Sequence, residues 1–395
     1  MRVVVAVEHR FVRTPDGRVW TQTTFPYSFW TRYLQVFDSV RVVARVRDVP
    51  NVPSDWKEAN GEGVSFAAIP YYIGPWQYLL KAWQVWRSAR NAVNANDAVI
   101  LRVASTIASP IQSMLRQTGR PYAVEVVADP YDVFAPGSVK HPLRPFFRRS
   151  SPRRLRRHCV QAGAAAYVTK EALQQRYPCP NFSVGVSDVD LPERALVSSS
   201  RLPRQGGTFN LIFVGTMAQL YKAPDVLINA VAACVQEGID LKLTLIGDGK
   251  HRSELEARAK SLGLGERVSF LGQLSGGDAV MAQLDLADLF VLPSHQEGLP
   301  RAMVEAMARA LPCIGSTVGG IPELLPPEDL VPPGNVAALA SKIREVATNP
   351  ERMARMSARN LQKAKDYTDE VLSQQRNEFY RYVREMTEAW LKQKN

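Results

Sequence analysis

Twice along this chain, short runs rich in Val, Ile, Leu and Ala alternate with stretches of helical periodicity, and a Pro/Ser/Gly-rich segment separates the two series. In the first series, strand-like runs fall at 3–7, 40–45, 65–69, 98–103, 123–127 and 164–169. Helical patterns fall at 76–91 and 110–117, with another helix starting near Lys170. The second series reads as strand 209–214, helix 223–234, strand 242–246, helix 252–262, strand 268–271, helix 279–284 and strand 289–292. Continuous apolar runs of this kind are buried on both faces, which calls for a parallel sheet with helices packed on each side. The intervening sequence DVDLPERALVSSSRLPRQGG has no period and reads as a linker. The expected layout is a Rossmann-like domain over 1–187, a linker over 188–207, a second Rossmann-like domain over 208–367, and a terminal helix over 368–395. A chain of 395 residues, 46% hydrophobic, suffices for two cores of this size.

Charge divides unevenly. Residues 1–200 carry 26 Lys/Arg against 15 Asp/Glu, whereas residues 201–395 carry 23 of each, so the net +11 belongs to the first half. The two halves therefore face different partners. Four cysteines (Cys159, Cys179, Cys234 and Cys313) lie scattered with no CxxC, the pattern of a reducing compartment rather than of a disulfide frame or zinc site. The apolar run at the N-terminus is too short for a secretory signal, and none approaches the roughly 20 residues that span a bilayer. A cytoplasmic protein is expected, free or resting on the inner face of the cytoplasmic membrane.

The segment 288–325 holds the densest chemistry. A buried strand breaks at Pro293 into a polar loop containing Glu297, Gly298 and Leu299. A helix follows over 300–311 bearing Glu305, then a strand, then VGGIPELL. The first turn of that helix offers free amides and a partial positive charge, a natural seat for phosphate. Gly298 permits close approach to the backbone. Two carboxylates beside an anion seat suit a ligand that also presents hydroxyl groups, which carboxylates accept well. A sugar nucleotide has both parts. Taken alone, Glu297 favours dipole compensation, and Met303, Val304, Met307, Ala308 and Leu311 read as an ordinary core-facing stripe. The Glu-x7-Glu spacing across a strand–loop–helix corner favours a site. A second corner, at Gly215-Thr216, leads to Lys222 ahead of the next helix, where a cation and free amides would hold a diphosphate.

These residues resemble the donor-site motif of the retaining glycosyltransferases of family 4, which have the GT-B fold: two Rossmann-like domains facing across a cleft. The resemblance is strong over 209–325. It implies that Glu305 binds the donor ribose, that Glu297 contacts the transferred sugar, and that the amides near Gly298 and Leu299 serve sugar and phosphate. It also implies a diphosphate role for Lys222, places the base near Gln273 and Leu274, and includes Gly247 in GDG at the preceding strand end. Thr216 stands where the family has arginine, so Arg301 or an arginine of the other domain is the candidate replacement. The implied activity is transfer of a sugar from a nucleotide-diphosphate sugar to a glycan or lipid-linked acceptor, as in polysaccharide or cell-envelope glycan assembly, with no cofactor and no metal. The terminal helix is implied to cross back onto the first domain.

For the acceptor side, Asp129 and Asp132 follow a strand end and should face the cleft. Asp129 serves equally as a turn initiator in Asp-Pro or as a catalytic or orienting carboxylate. His9, Arg10 and Arg102 are further cleft candidates. Asp188 and Asp190 read as solvated linker residues rather than metal ligands. The run KHPLRPFFRRSSPRRLRRHC puts Arg149, Arg153, Arg156 and Arg157, with Arg154 beside them, in a cluster suited to anionic lipid. A solvated helix face is the plainer reading, and no recognisable RNA module is present. The segment 71–90, with Trp76, Leu79, Leu80, Trp83 and Trp86, offers a second contact with lipid, although a tryptophan-rich core helix is the favoured reading. Two alternatives stay open: a GT-B sugar-nucleotide epimerase, and a basic membrane- or RNA-binding protein with a degenerate donor site.

Overall fold

A computed structural model of the chain describes residues 1–22, 24–134, 142–202, 206–274 and 277–394. Lys140 and His141 of the basic run and residues 203–205 of the linker lie outside the described residues. The first sheet contains β1 (Arg2–Arg13), β2 (Val19–Thr21), β3 (Ser39–Asp48), β4 (Lys57–Glu58), β5 (Val64–Ile69), β6 (Ala98–Val103), β7 (Ala123–Val126), β8 (Ala164–Tyr167) and β9 (Phe182–Gly185). Seven of these run parallel in the order β5-β3-β1-β6-β7-β8-β9. β2 and β4 attach antiparallel beyond the end of β1, which continues past a register break between Ala6 and Arg10. Around this sheet lie α1 (Tyr27–Leu34), α2 (Gly74–Asn91), α3 (Ala108–Gln117), α4 (Pro130–Val133), α5 (Arg144–Val160) and α6 (Ala172–Arg176).

The second sheet is wholly parallel in the order β12-β11-β10-β13-β14-β15. Its strands are β10 (Phe209–Val214), β11 (Leu241–Ile246), β12 (Val268–Gly272), β13 (Leu289–Leu292), β14 (Cys313–Ser316) and β15 (Leu330–Val331). The helices with it are α7 (Pro224–Gln236), α8 (Arg252–Ser261), α9 (Asp278–Leu286), α10 (Arg301–Ala308), α11 (Ile321–Leu324), α12 (Val336–Ala347) and α13 (Pro350–Ala364). Strand order reverses between β10 and β13, and in doubly wound sheets that reversal opens a crevice at the carboxyl ends of the strands.

The terminal helix α14 (Asp369–Lys394) packs against β8 and β9 of the first sheet. Tyr380 stacks on Tyr33 with centroids 4.6 Å apart, and Asn377 bonds Gln35 at 2.7 Å. Beneath it, the buried Arg102 guanidinium is ion-paired with Glu125 and Asp188, and Tyr33 donates to Glu125 at 2.9 Å. Asp188 is thus not the solvated linker residue expected. Burial alone would raise its carboxyl, but Arg102 and Arg32 outweigh that and hold it at about 2. An aperiodic composition marks irregular backbone, and this irregular backbone crosses the junction of both domains.

α2 also departs from expectation. Its buried positions are Val85 and Ala89, while Trp76 and Trp83 are 79% and 71% exposed. Helical period alone does not say which of two apolar stripes faces the sheet, and here the smaller side chains allow the closer approach.

Two histidines set an acid limit on stability. His158 is buried in α5, and burial followed by Arg154 and Arg157 lowers its pKa to about 4. His9 is lowered to about 4 by burial, then Arg45 and Arg10. Because the folded values lie below the unfolded value of about 6.5, the unfolded chain binds more protons through this window. Stability is full above that value and falls as pH drops toward 4, by roughly 3 kcal/mol from His158 alone. Urea unfolding at neutral pH and near pH 4.5 measures the loss, and His158→Gln should shrink it. An unchanged pH slope in that variant would refute the assignment.

Candidate active site

The crevice at the strand reversal is lined by the loops that follow β10 and β13. Gly215 ends β10, and its missing side chain leaves room for the Lys222 stem beside the Phe213 ring. Lys222 closes a single 3-10 turn, Leu220–Lys222, ahead of Ala223, which takes a left-handed conformation before α7. The His295 amide donates to the Tyr221 carbonyl at 2.7 Å, tying the two loops together. Lys222 Nζ then reaches Glu297 Oε1 at 2.7 Å, and Ser294 Oγ donates to the same oxygen at 2.8 Å. Both partners are sequestered, with side chains 15% and 7% exposed. An ammonium has three donors, so Lys222 retains two when paired to Glu297.

Pro300 is the N-cap of α10 rather than its first residue, and the helix ends at Ala308, short of the expected Leu311, where Ala310 turns left-handed. No side chain caps the N-terminus, and the Arg301 and Ala302 amides have no acceptor among the described residues. Such amides favour an anion. The carboxylate of Glu305, one turn on, forms no hydrogen bond or ion pair among the described residues. Burial raises its pKa, Asp190 adding to the effect and Arg301 opposing it. Arg301 is exposed beside both Glu305 and Tyr221.

Thr216 is spent on its own turn, accepting from the Ala218 amide at 3.1 Å. Gly247 has φ +131°, and a side chain there would collide with the Gly215 carbonyl, so this glycine positions the Gly215 loop from behind. Gln273 and Leu274 follow β12, Gln273 exposed.

Across the cleft, the loops of the second domain press on the first. A side chain at Gly298 would lie 2.7 Å from the Val127 carbonyl, and Leu299 is buried beside it. Glu323 accepts the amides of Lys170, Glu171 and Ala172 at 2.6, 3.1 and 2.7 Å, capping α6 in the other domain. The sequence offered no sign of this, because carboxylate and amides are some 150 residues apart.

The remaining candidates hold the wall together. Asp129 N-caps α4 through the Tyr131 amide at 2.8 Å and is bound by Arg176 and the Tyr177 hydroxyl, so its oxygens are occupied. Asp132 is raised to about 6 by burial and by Asp129. Arg102 belongs to the buried junction described above rather than to an open cleft wall. His9 contacts Thr21 at 3.1 Å within a Phe11–Phe25 cluster, while Arg10 is exposed. At the end of β1 the better-connected group is Glu8, which was not singled out. It accepts from Tyr72, Ser105 and Thr106 and pairs with Arg45 at 3.1 Å, holding the reversal point of the first sheet. A carboxylate interrupting an apolar strand was the available signal.

Two parallel sheets facing across a cleft, with a terminal helix returning to the first, define the GT-B class of α/β proteins. Comparison with known proteins agrees. Residues 198–363 match the family model described as "Glycosyl transferases group 1". Protein CapJ of Staphylococcus aureus is 29% identical over 323 residues, covering 81% of this chain and 80% of CapJ. The 2-deoxystreptamine glucosyltransferase of Streptomyces kanamyceticus is 30% identical over 257 residues, covering 62% of this chain and 65% of that protein. Anabaena HepE, solved in complex with UDP-glucose, superposes with a TM-score of 0.64 at 15% identity, covering 96% of this chain and 98% of HepE. The chain has the GT-B fold, and its residues 198–363 are similar to the group 1 glycosyl transferases.

Proposed function

We propose that the protein is a retaining glycosyltransferase of the family 4 type. It moves a sugar from a nucleotide-diphosphate sugar to a glycan or lipid-linked acceptor in polysaccharide or cell-envelope glycan synthesis. One observation carries the reading: Lys222, Glu297 and the uncapped amides of α10 converge where the strand order reverses, with the Glu305 carboxylate unbonded among the described residues one turn away. In this reading the diphosphate lies on the α10 amides and the free donors of Lys222, with Arg301 in place of the cation missing at Thr216. Glu305 accepts from the ribose hydroxyls, and Glu297 from a hydroxyl of the transferred sugar. The acceptor hydroxyl oxygen bonds to the anomeric carbon and gives up its proton, and the nucleoside diphosphate departs with the bonding pair and takes up that proton. Positive charge fixed at that leaving group lowers the barrier without reorganisation. Asp129 shapes the acceptor wall through Arg176 and Tyr177. Retention of configuration rests on the motif resemblance, and the donor class is supported by the UDP-glucose bound in HepE.

The test is a thermal-shift series with nucleoside diphosphates and their sugars, since a ligand at a hundred times its Kd stabilises by about 2.7 kcal/mol. Glu305→Ala should weaken donor binding by roughly tenfold to a hundredfold, the worth of hydrogen bonds to a charged group. Unchanged affinity would overturn the ribose role. The raised pKa of Glu305 adds a pH signature. The ionised acceptor is fully present above that pKa and disappears as pH falls through it, at a higher pH than for an ordinary glutamate. Donor affinity should therefore fall early on acidification, and Glu305→Gln should flatten the profile. Conversion of a sugar nucleotide to its isomer without net release of nucleoside diphosphate would instead identify an epimerase.

A further inference from the structure

Six of the large apolar side chains exposed to solvent fall within residues 73–86. On α2, Trp76, Leu79, Leu80 and Trp83 stand at i, i+3, i+4 and i+7, which makes one stripe, and they are 79, 63, 88 and 71% exposed. Tyr78, Val85 and Ala89 occupy the opposite stripe toward the sheet. A soluble monomer rarely leaves so continuous an apolar row uncovered.

What covers it is indicated by the other helices of the same face. α2, α3 and α5 link β5 to β6, β6 to β7 and β7 to β8, all stepping one way across the parallel sheet, so right-handed crossovers set the three on one face, where the Arg154 charge also acts on Tyr78 of α2. On α5, Arg149, Arg153, Arg154, Arg156 and Arg157 are all exposed, and none forms an ion pair among the described residues. Phe146, near the start of the same helix, is 62% exposed. Indoles and leucines beside uncompensated guanidinium groups are complementary to a bilayer surface, where rings settle at the headgroup level and arginines meet anionic lipid. A second copy of the chain would bring one arginine cluster against another. Both helices begin at the carboxyl ends of the strands, the end of the first sheet that meets the second domain.

We propose that the α2–α5 face docks the protein on an anionic lipid bilayer, with the mouth of the cleft beside the membrane. The proposal is independent of the donor-site chemistry, and no step of its test requires catalysis. Full-length protein is sedimented with phosphatidylcholine vesicles with and without phosphatidylglycerol, and tryptophan emission is followed on vesicles of brominated phosphatidylcholine mixed with phosphatidylglycerol. The expected result is retention on the anionic vesicles only, release by salt, and quenching by bromine. Combined Trp76→Ser, Leu80→Ser and Trp83→Ser should reduce retention at least about tenfold with Tm unchanged, because these side chains support no core. Combined Arg149→Glu, Arg153→Glu, Arg156→Glu and Arg157→Glu should reduce it about fivefold or more for each arginine removed. Absence of retention, retention without bromine quenching, RNA binding in place of vesicle binding, or a solution dimer that buries these tryptophans would each overturn the proposal. Should the serine variant fail to fold, quenching of the unmodified protein decides the matter.

Discussion

Lys222→Ala should lower turnover by on the order of a hundredfold to a thousandfold, the range seen when one preorganised charge-stabilising donor is removed. It should also destabilise the fold. Glu297 is 7% exposed, and beyond the lysine its bonded oxygen is met, among the described residues, only by Ser294. Removing one partner of a sequestered ion pair strands the other charge, which costs about 3 kcal/mol or somewhat more. Glu297→Gln keeps an oxygen for Lys222 and Ser294, so it should unfold little more readily than the parent while turnover still falls. The double variant separates the roles. With no carboxylate left to strand, Lys222→Ala combined with Glu297→Gln should recover much of the lost stability, yet its turnover should stay at the level of the weaker single variant. Denaturant midpoints and single-turnover rates across this cycle are the measurement. If stability and turnover recover together, the pair is a strut and the diphosphate reading fails.

The two domains were legible because a doubly covered sheet writes itself as uninterrupted apolar runs. Ala98–Val103, Phe209–Val214 and Leu289–Leu292 are strands over the very residues expected. Where elements depend on distant partners, the sequence is quieter. β2 and β4 have three and two residues, too short to show a period, and exist because β1 overshoots its sheet. α12 and α13 went unread although Asn335 and Asn349 announce them, each accepting a backbone amide three residues on.

The site divides along the same line. Glu297, Glu305, Gly298 and Lys222 sit on two strand–loop–helix corners, and local chemistry sufficed to single them out. That Lys222 would be found on Glu297, rather than waiting alone for phosphate, follows from how β10 and β13 lie side by side. Strand adjacency is a property of topology, which no single corner reports. Glu323 and Glu8 were missed for the related reason that their partners lie in other elements: the α6 amides for one, and Arg45, Tyr72 and Ser105 for the other. Asp129 reads equally as a turn initiator or a catalytic carboxylate from its position after β7, and the structure spends it on Arg176 and Tyr177.

Gly319→Ala should badly damage the Glu297 corner, although Gly319 carries no side chain of the site. Its φ is +53°, and a side chain there would collide with the Glu297 carbonyl and lie 3.0 Å from the Gly298 carbonyl. The left-handed backbone costs an L-residue about 1 kcal/mol and overpacking about 1–3 kcal/mol more, for a loss of roughly 3 kcal/mol. Both neighbours resist moving. The Glu297 side chain is held by Lys222 and Ser294, while Gly298 rests on the Val127 carbonyl and accepts the Gly320 amide at 2.6 Å. The strain therefore has to shift Glu297, and misplacing a reacting group costs rate far more than it costs affinity. Glu305 stands on α10, outside the collision, so donor Kd should change only a few-fold while turnover falls about a hundredfold. Thermal unfolding, donor titration and turnover on the same preparation provide the check. A variant with normal Tm and normal turnover would mean that this turn yields, and that Glu297 does not need the fixed position on which the proposed chemistry depends.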